Sequence, residues 1–137
     1  MSILKVFTDG GSKSNPGRAN IGGVFYISGK KIFQFHRSIG IATNNDAEYQ
    51  ALIYALEEIK KQKEKLIDDL KVEKIYFYSD SRLLVNQING FFKVKNGKIK
   101  EYIFKIRMLE QEISLPISYH QIPREKNKEA DRLVNLE

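Results

Sequence analysis

The sequence predicts a single α/β domain with the element order βββαβααβα, built on a mixed five-stranded sheet flanked by helices. Two observations carry this prediction. Early in the chain, short apolar or alternating segments are joined by glycine-containing turns, which is typical of an antiparallel meander. From residue 44 onward, helical periods alternate with apolar strands, and a strand–helix–strand order usually forms a parallel crossover. We therefore expect the first, fourth and fifth strands to run parallel and the meander to supply the antiparallel edge.

The meander begins with a largely apolar strand, as expected near the middle of a sheet. Turn residues follow at 10–18, and Gly22-Gly23 marks a weak point or bulge in the second strand. Ser28-Gly29-Lys30 is too short a connection for anything but antiparallel neighbours. The three predicted strands cover residues 3–9, 20–28 and 31–38.

The first helix begins after Thr43, where Asn44, Asn45 and Asp46 offer capping side chains. Apolar residues recur at helical spacing to about residue 63. Glu48 lies on the apolar stripe in the first helical turn, where the helix dipole favours a carboxylate. Burying that carboxylate without a partner is expensive, so Glu48 is either a dipole partner or a functional acid.

The second half of the chain contains two further acids at informative positions. Asp80 ends an aromatic and apolar strand, as Asp9 ends the first strand. Asp131 borders the apolar face of the terminal helix. The predicted elements are a polar connector at 65–73, a strand at 74–80, a short helix at 81–89 ended by Gly90, a helix at 98–113, a strand at 117–122 and a helix at 126–136.

Composition narrows the class of protein. The 137 residues are 42% hydrophobic and 29% charged, as expected for one packed domain spanning residues 1–137. Because the chain has no cysteine, a metal would need oxygen or histidine ligands. No apolar run is long enough to span a bilayer and nothing resembles a signal peptide, so a cytosolic protein is expected. The net charge of +6 fits a polyanion partner or a lysine-rich solubilising surface.

Four carboxylates could meet at one edge of the sheet. Asp9 and Asp80 follow strands expected to be parallel, and ligands bind at the carboxyl ends of such strands. The helix that carries Glu48 returns to the same edge, and Asp131 borders the packed face of the last helix. Their repulsion would be severe without a cation, and an all-oxygen site favours Mg²⁺ or Mn²⁺. Strand-end turns for the aspartates and a solvated position for Asp131 are the alternatives.

These residues also belong to motifs that resemble those of the ribonuclease H type 1 family. The match runs in order from about residue 3 to residue 136, and its separate motifs at compatible spacing make it specific. The motifs are Thr8-Asp9-Gly10-Gly11-Ser12, Asn15-Pro16-Gly17, Asn44-Asn45-Asp46-Ala47-Glu48-Tyr49, Ser79-Asp80-Ser81 and Arg124-Glu125-x-Asn127-x-x-Ala130-Asp131.

The resemblance implies a ribonuclease H-like fold and endonucleolytic hydrolysis of the RNA strand of RNA–DNA hybrids, leaving 5′-phosphate and 3′-hydroxyl ends. It implies two Mg²⁺ ions, with Mn²⁺ as an alternative, held by the family's four acids, which fall on Asp9, Glu48, Asp80 and Asp131. A monomer that binds the hybrid duplex is expected. The alternatives are a binding module for hybrid or double-stranded RNA without catalysis, and a nuclease of this fold that acts on double-stranded RNA.

The resemblance also implies residues that bind the substrate. Asn15, Asn44 and Asn45 match positions that read the minor groove, where RNA exposes its 2′-hydroxyl groups. Thr43 matches a residue that holds a phosphate of the DNA strand. The turn at Gly10, Gly11 and Ser12 is expected to let the RNA backbone approach the metals, while turn formation and capping are the structural alternatives for the asparagines.

Two departures from the family stand out. The loop before the last helix, residues 123–127, lacks the histidine that many members carry, so Arg124 is a candidate auxiliary residue. His120 is interpreted as a residue of the preceding strand. The basic, tryptophan-rich insertion of some members is also missing, and Lys93 and Lys95 could supply a smaller phosphate-binding patch or simply a solvated surface.

Overall fold

The computed structural model describes residues 2–136. It confirms the predicted element order and the mixed five-stranded sheet. The strands and helices are β1 (Ser2–Ser12), β2 (Gly17–Ile27), β3 (Lys30–Ala42), α1 (Asn44–Lys61), β4 (Val72–Ser79), α2 (Arg82–Ile88), α3 (Gly97–Ile113), β5 (Ile117–Gln121) and α4 (Lys128–Val134). A π-helical turn at Lys65–Asp69 precedes β4, and a 3₁₀ turn at Arg124–Lys126 precedes α4.

The sheet has the strand order β3-β2-β1-β4-β5. The first three strands form the antiparallel meander, whereas β1, β4 and β5 run parallel, as predicted. Phe7 of β1 pairs in register with Tyr78 of β4. Two residues further along the chain in each case, Asp9 of β1 and Asp80, which directly follows β4, therefore lie side by side at the carboxyl edge of the sheet.

The main core lies between the sheet and the helices α1 and α3. Leu4 and Val6 of β1 are fully buried, as are Leu56 of α1 and Ile106 of α3. Helix α1 packs along β1, the central strand, so its first turn is held at the same edge of the sheet as Asp9. This packing, rather than helix propensity, fixes the position of Glu48.

Helix α4 packs on β2 and β1 from the other side, and this contact explains Gly22. A Cβ atom at Gly22 would lie 2.8 Å from the Leu133 Cβ and 3.0 Å from the Ala130 carbonyl oxygen. The prediction of a bulge at Gly22-Gly23 was wrong, because the irregularities in the β2–β3 pairing fall between Ala19 and Asn20 and between Phe25 and Tyr26. Gly22 is instead the point where a helix approaches the strand closely.

The strands are longer than predicted at the edge that carries the acids. Gly10, Gly11 and Ser12 continue the antiparallel ladder with β2, and β3 extends to Ala42. Their turn-like composition concealed this pairing. The helix cap also differs from the prediction: Thr43 Oγ1 accepts from the Asp46 N–H at 3.0 Å, and Asp46 Oδ2 accepts from the Thr43 N–H at 3.4 Å.

Replacing Gly22 with alanine tests how α4 is placed. The added methyl group would push Leu133 and the α4 backbone outward, so we expect Gly22→Ala to lower the free energy of unfolding by about 1–3 kcal/mol, as overpacking commonly does. Urea denaturation measures the change. Gly97→Ala is the matched control, since nothing lies within 4 Å of the position that its methyl group would take. A Gly22→Ala protein as stable as Gly97→Ala would contradict the close-approach explanation.

Candidate active site

Three carboxylates meet at the carboxyl edge of the sheet. One oxygen each from Asp9, Glu48 and Asp80 can be chosen so that all lie within 4.8 Å of one another. Asp9 belongs to β1, Glu48 to the first helical turn of α1, and Asp80 directly follows β4. The parallel pairing of β1 with β4 brings together Asp9 and Asp80, which are 71 positions apart along the chain. The packing of α1 on β1 adds Glu48.

A backbone hydrogen bond fixes the orientation of Glu48. The Gly10 N–H donates to Glu48 Oε1 at 2.8 Å. A Cβ at Gly10 would overlap the backbone of Ala47 and lie 2.6 Å from the Glu48 nitrogen, so only glycine lets β1 and α1 approach this closely. The structure thus gives Gly10 an internal packing role, where the sequence suggested an approach path for RNA.

Burial and mutual repulsion raise the pKa values of these acids. The pKa of Asp9 rises from 3.8 to about 7, first because the side chain is buried and then because Asp80 and Asp131 are close. Burial and the charge of Asp9 raise the pKa of Glu48 well above its usual value. Burial also raises the pKa of Asp80, although the nearby Arg124 guanidinium opposes that shift. The cluster therefore retains protons near neutral pH.

The structure places Asp131 beside this triad. Its carboxyl group lies close enough to raise the pKa of Asp9, and its charge also raises the pKa of Asp80. On its outer side, Asp131 Oδ1 lies 3.7 Å from Arg124 Nη2, and the Arg124 side chain is 80% exposed. The four predicted acids are therefore neighbours, with Asp131 half-exposed at the rim.

The donor set fits a divalent cation. Carboxylate oxygens are the ligands that Mg²⁺ and Mn²⁺ prefer, and a buried like-charged cluster is stabilised when a cation replaces its protons. Asp9, Glu48 and Asp80 could hold such an ion, and Asp131 lies close enough to Asp9 to contribute to a second. The residues present therefore suit the metal chemistry that the sequence predicts.

The predicted substrate residues form a connected loop beside the acids. The Asn44 N–H donates to Asn15 Oδ1 at 3.0 Å, and the Ser12 N–H donates to Asn44 Oδ1 at 2.9 Å. The Ser12 hydroxyl also reaches Asn44 Oδ1, at 3.1 Å. These bonds orient both asparagine side chains. Thr43 serves as the helix cap.

The acids open into a groove of about 950 Å³. Gly11, Ser12 and Asn44 line it together with all four acids and Arg124. Within the described part of the chain, the groove lining does not include five predicted substrate or auxiliary residues, which are Asn15, Thr43, Asn45, Lys93 and Lys95. The two lysines lie exposed in the connection between α2 and α3, and Asn45 is half-buried in α1.

Sequence reasoning missed one wall of the groove. The residues that form it alternate along two adjacent strands, which places them on one face of the sheet. That period-two polar pattern was the available signal, but it also fits an ordinary solvated face. The residues are Arg18 and Asn20 of β2 and His36 and Ser38 of β3, and Gly40 lines the groove beyond the bulge.

His120 lies in β5, as the sequence indicated. It is exposed and its Nε2 lies 2.7 Å from the Ser118 hydroxyl. Its ring packs against Tyr78 at a centroid distance of 5.5 Å.

Within residues 2–136, no helix is both long and apolar enough to cross a membrane.

The chain is similar to several known proteins. A family profile described as "Reverse transcriptase-like" matches residues 7–137. The protein "Putative hydrolase EbsB" of Enterococcus faecalis is 30% identical over 96% of this chain and 91% of that protein. "Bifunctional protein Rv2228c" of Mycobacterium tuberculosis is 34% identical over 93% of this chain, which spans only 33% of that longer protein.

Solved structures agree with the observed fold. LC11-RNase H1, isolated from compost by a metagenomic approach, is 41% identical with a TM-score of 0.89, over 98% of this chain and 94% of that one. The same protein has been solved in complex with an RNA/DNA hybrid, and that structure matches with a TM-score of 0.88 at 40% identity, over 96% of this chain and 94% of that one.

The raised pKa of Asp9 predicts a pH-dependent stability in metal-free protein. The folded-state pKa, about 7, lies above the ordinary value of 3.8. Asp9 therefore costs no stability below pH 3.8, and the free energy of unfolding falls as pH rises through 7. We expect Asp9→Asn to raise the free energy of unfolding at about pH 8 by roughly 2–4 kcal/mol, and to change it little near pH 4.

Thermal or urea denaturation in EDTA at both pH values measures this difference. The exposed Asp68 on the polar connector offers a matched control, and Asp68→Asn should leave stability nearly unchanged at either pH. Equal stability of wild type and Asp9→Asn at the higher pH would show that burial beside the other carboxylates does not disfavour the ionised form of Asp9, and it would contradict the raised pKa.

Proposed function

The chain belongs to the ribonuclease H type 1 family, and we propose that it hydrolyses the RNA strand of RNA–DNA hybrids with divalent cations held by Asp9, Glu48, Asp80 and Asp131. The observation that carries this proposal is the meeting of three carboxylates within 4.8 Å in an open groove. A hybrid bound to a family relative supports the choice of substrate, because LC11-RNase H1 has been solved with one.

The chemistry requires opposite charge at the acid cluster. Two divalent cations bound there would stabilise the attacking and leaving oxygens of a phosphodiester. Like-charged carboxylates about 4 Å apart repel by roughly 4 kcal/mol per pair at an effective dielectric near 20. The site therefore favours the binding of cations. A module that only bound nucleic acid would be weakened by these four acids, which favours catalysis over binding alone.

The protein's own groups position the acids. The Gly10 N–H donates to Glu48 Oε1. That bond orients the carboxylate and so also fixes the direction of its second oxygen. Arg124 lies against the rim acid Asp131 and opposes the upward shift of the Asp80 pKa. We infer that Arg124 favours the ionised form of Asp80, from a loop where many family members carry a histidine.

The asparagine loop supplies the test for RNA. The oxygens of the Asn15 and Asn44 amides already accept backbone N–H groups, so each NH₂ group is directed away from those bonds. Within residues 2–136, neither NH₂ group donates to another residue. Two oriented donors beside the acids suit the 2′-hydroxyls and base edges of the minor groove, which DNA and RNA present differently.

Several finer predictions rest on composition, on charge or on the family resemblance. They are the preference for Mg²⁺ over Mn²⁺, a monomeric and cytosolic protein, a single domain over residues 1–137, and phosphate contacts from Thr43, Lys93 and Lys95. Asn45 also stays a predicted substrate residue. Double-stranded RNA shares the minor-groove 2′-hydroxyls of a hybrid, so it is the competitor substrate to include in any assay.

Replacing Asp80 with asparagine tests the proposed reaction. We expect Asp80→Asn to lower cleavage of a labelled RNA–DNA hybrid by about 10³-fold or more at saturating Mg²⁺, because the loss of a metal-binding carboxylate removes several kcal/mol of transition-state stabilisation. Hybrid affinity in EDTA should be unchanged or tighter, since the substitution removes a negative charge.

Asp68→Asn, which removes an exposed carboxylate outside the groove, should cleave like the wild type. Gel analysis of end-labelled products gives both the rate and the identity of the cut strand. Full activity of Asp80→Asn, or cutting of the DNA strand by the wild type, would refute the proposed function.

A further inference from the structure

The outer face of the sheet, on the side where α4 packs, carries a row of aromatic rings. Phe7 stacks on Tyr78 at a centroid distance of 4.8 Å and meets Tyr26 edge-on at 5.7 Å. His120 extends the row through contacts with Tyr78 at 5.5 Å and Tyr76 at 5.3 Å. The row therefore crosses β2, β1, β4 and β5.

These rings are neither core residues nor fully solvated side chains. The four carbocyclic rings are half-buried, and His120 is exposed. Helix α4 covers only part of this face, against β2 and β1, while α1 and α3 lie on the opposite face. The parts of these rings that stay exposed are aromatic surface in a sheet whose other side forms the core.

A second groove, of about 580 Å³, lies where the aromatic row meets the start of α4. Phe7 and Tyr26 line it together with Lys5 and Lys126. Both lysines are exposed. Further along the face, Lys74 Nζ lies 5.6 Å from the centre of the Tyr76 ring.

The charge of this groove is positive. Glu129 is the carboxylate among its described lining residues, and it is already paired with Lys31 at 3.2 Å and with Arg132 at 2.6 Å. Lys5 and Lys126 therefore face the groove without a carboxylate of the described lining to neutralise them. An anionic occupant with flat apolar parts matches this combination of charge and surface.

We propose that this face binds single-stranded nucleic acid, with bases against the aromatic row and phosphates on Lys5 and Lys126. Stacking of bases on aromatic side chains, next to a basic groove that follows the backbone, is how proteins hold single strands without sequence preference. A purely apolar partner is a poorer fit, because docking it would remove water from both lysines without supplying a negative charge.

The face lies on the same strands as the acids. Phe7 is two residues before Asp9 on β1, so the two side chains share a face of the sheet. Tyr78 of β4 is two residues before Asp80, which directly follows that strand. Ile3 lines the second groove, and about 20 Å of extended strand separates it from Asp9 in the acid cluster. That distance is a span of a few nucleotides. A single strand that continues from the proposed hybrid site could therefore reach the aromatic row.

Binding of a fluorescein-labelled pyrimidine deoxynucleotide 12-mer, measured by anisotropy in EDTA, tests the proposal without depending on cleavage. We expect the Lys5→Ala/Lys126→Ala protein to bind about tenfold more weakly at low salt. Its slope of log affinity against log salt should be shallower by about 1.4, since each phosphate contact to a single strand contributes about 0.7. Tyr26→Leu, which keeps an apolar side chain, should weaken binding about fivefold with the slope unchanged.

Lys61→Ala is the matched control, because Lys61 is exposed at the end of α1 on the opposite side of the sheet. It should bind like the wild type. An excess of unlabelled blunt hybrid should leave the Lys5-dependent binding in place, and Tyr26→Leu should cleave a blunt hybrid at the wild-type rate.

Three results would overturn the proposal. They are no measurable single-strand affinity in the wild type, equal losses in Lys61→Ala and the double variant, and complete displacement of the 12-mer by the blunt hybrid. The last result would place the single strand in the acid-lined groove instead. Because none of these measurements requires activity, they separate failure of this second site from failure of the proposed nuclease function.

Discussion

Repulsion among the carboxylates of Asp9, Glu48 and Asp80 is the interaction on which the arrangement of this protein depends. The scaffold buries three acids within 4.8 Å of one another. Burial first, and then neighbouring negative charge, raises their pKa values, which costs folding energy in the absence of a cation. Such an unfavourable arrangement of carboxylates persists only where the surrounding packing holds it in place. Ionisable groups with shifted pKa values are common at functional sites. Here the negative potential that disfavours ionisation of the acids would also attract a cation.

The packing that opposes this repulsion comes from both faces of the sheet. On one face α1 is held against β1 by a close approach at Gly10, whose N–H also binds Glu48. On the other face α4 is seated at Gly22, and it brings Asp131 beside Asp9. Glycine at these two positions thus serves the site by allowing helices to approach strands. The buried Asn127 strengthens the second contact by donating to the Thr8 carbonyl at 2.9 Å, one residue before Asp9.

Much of this could be predicted from the sequence, because strand-end aspartates and helical periods are local patterns. The parallel placement of β1, β4 and β5 followed from element order, and it brought Asp9 and Asp80 together as predicted. Contacts that depend on tertiary packing could not be predicted in the same way. Gly10 and Gly22 looked like turn or bulge residues, although each is fixed by a helix distant in sequence. The groove wall at Arg18 and His36 was missed since polar residues that alternate on a strand usually indicate only solvent exposure.

The linkage between protons and cations tests the central claim most directly. Isothermal titration calorimetry of Mg²⁺ binding, repeated near pH 7 in buffers with different ionisation enthalpies, gives the number of protons released per binding event. With the pKa of Asp9 at about 7, binding near pH 7 should release a substantial fraction of one proton from Asp9, and that contribution should shrink by about pH 8.5. Binding without proton release at either pH, or no binding at millimolar Mg²⁺, would contradict the coupling of these acids in one metal site.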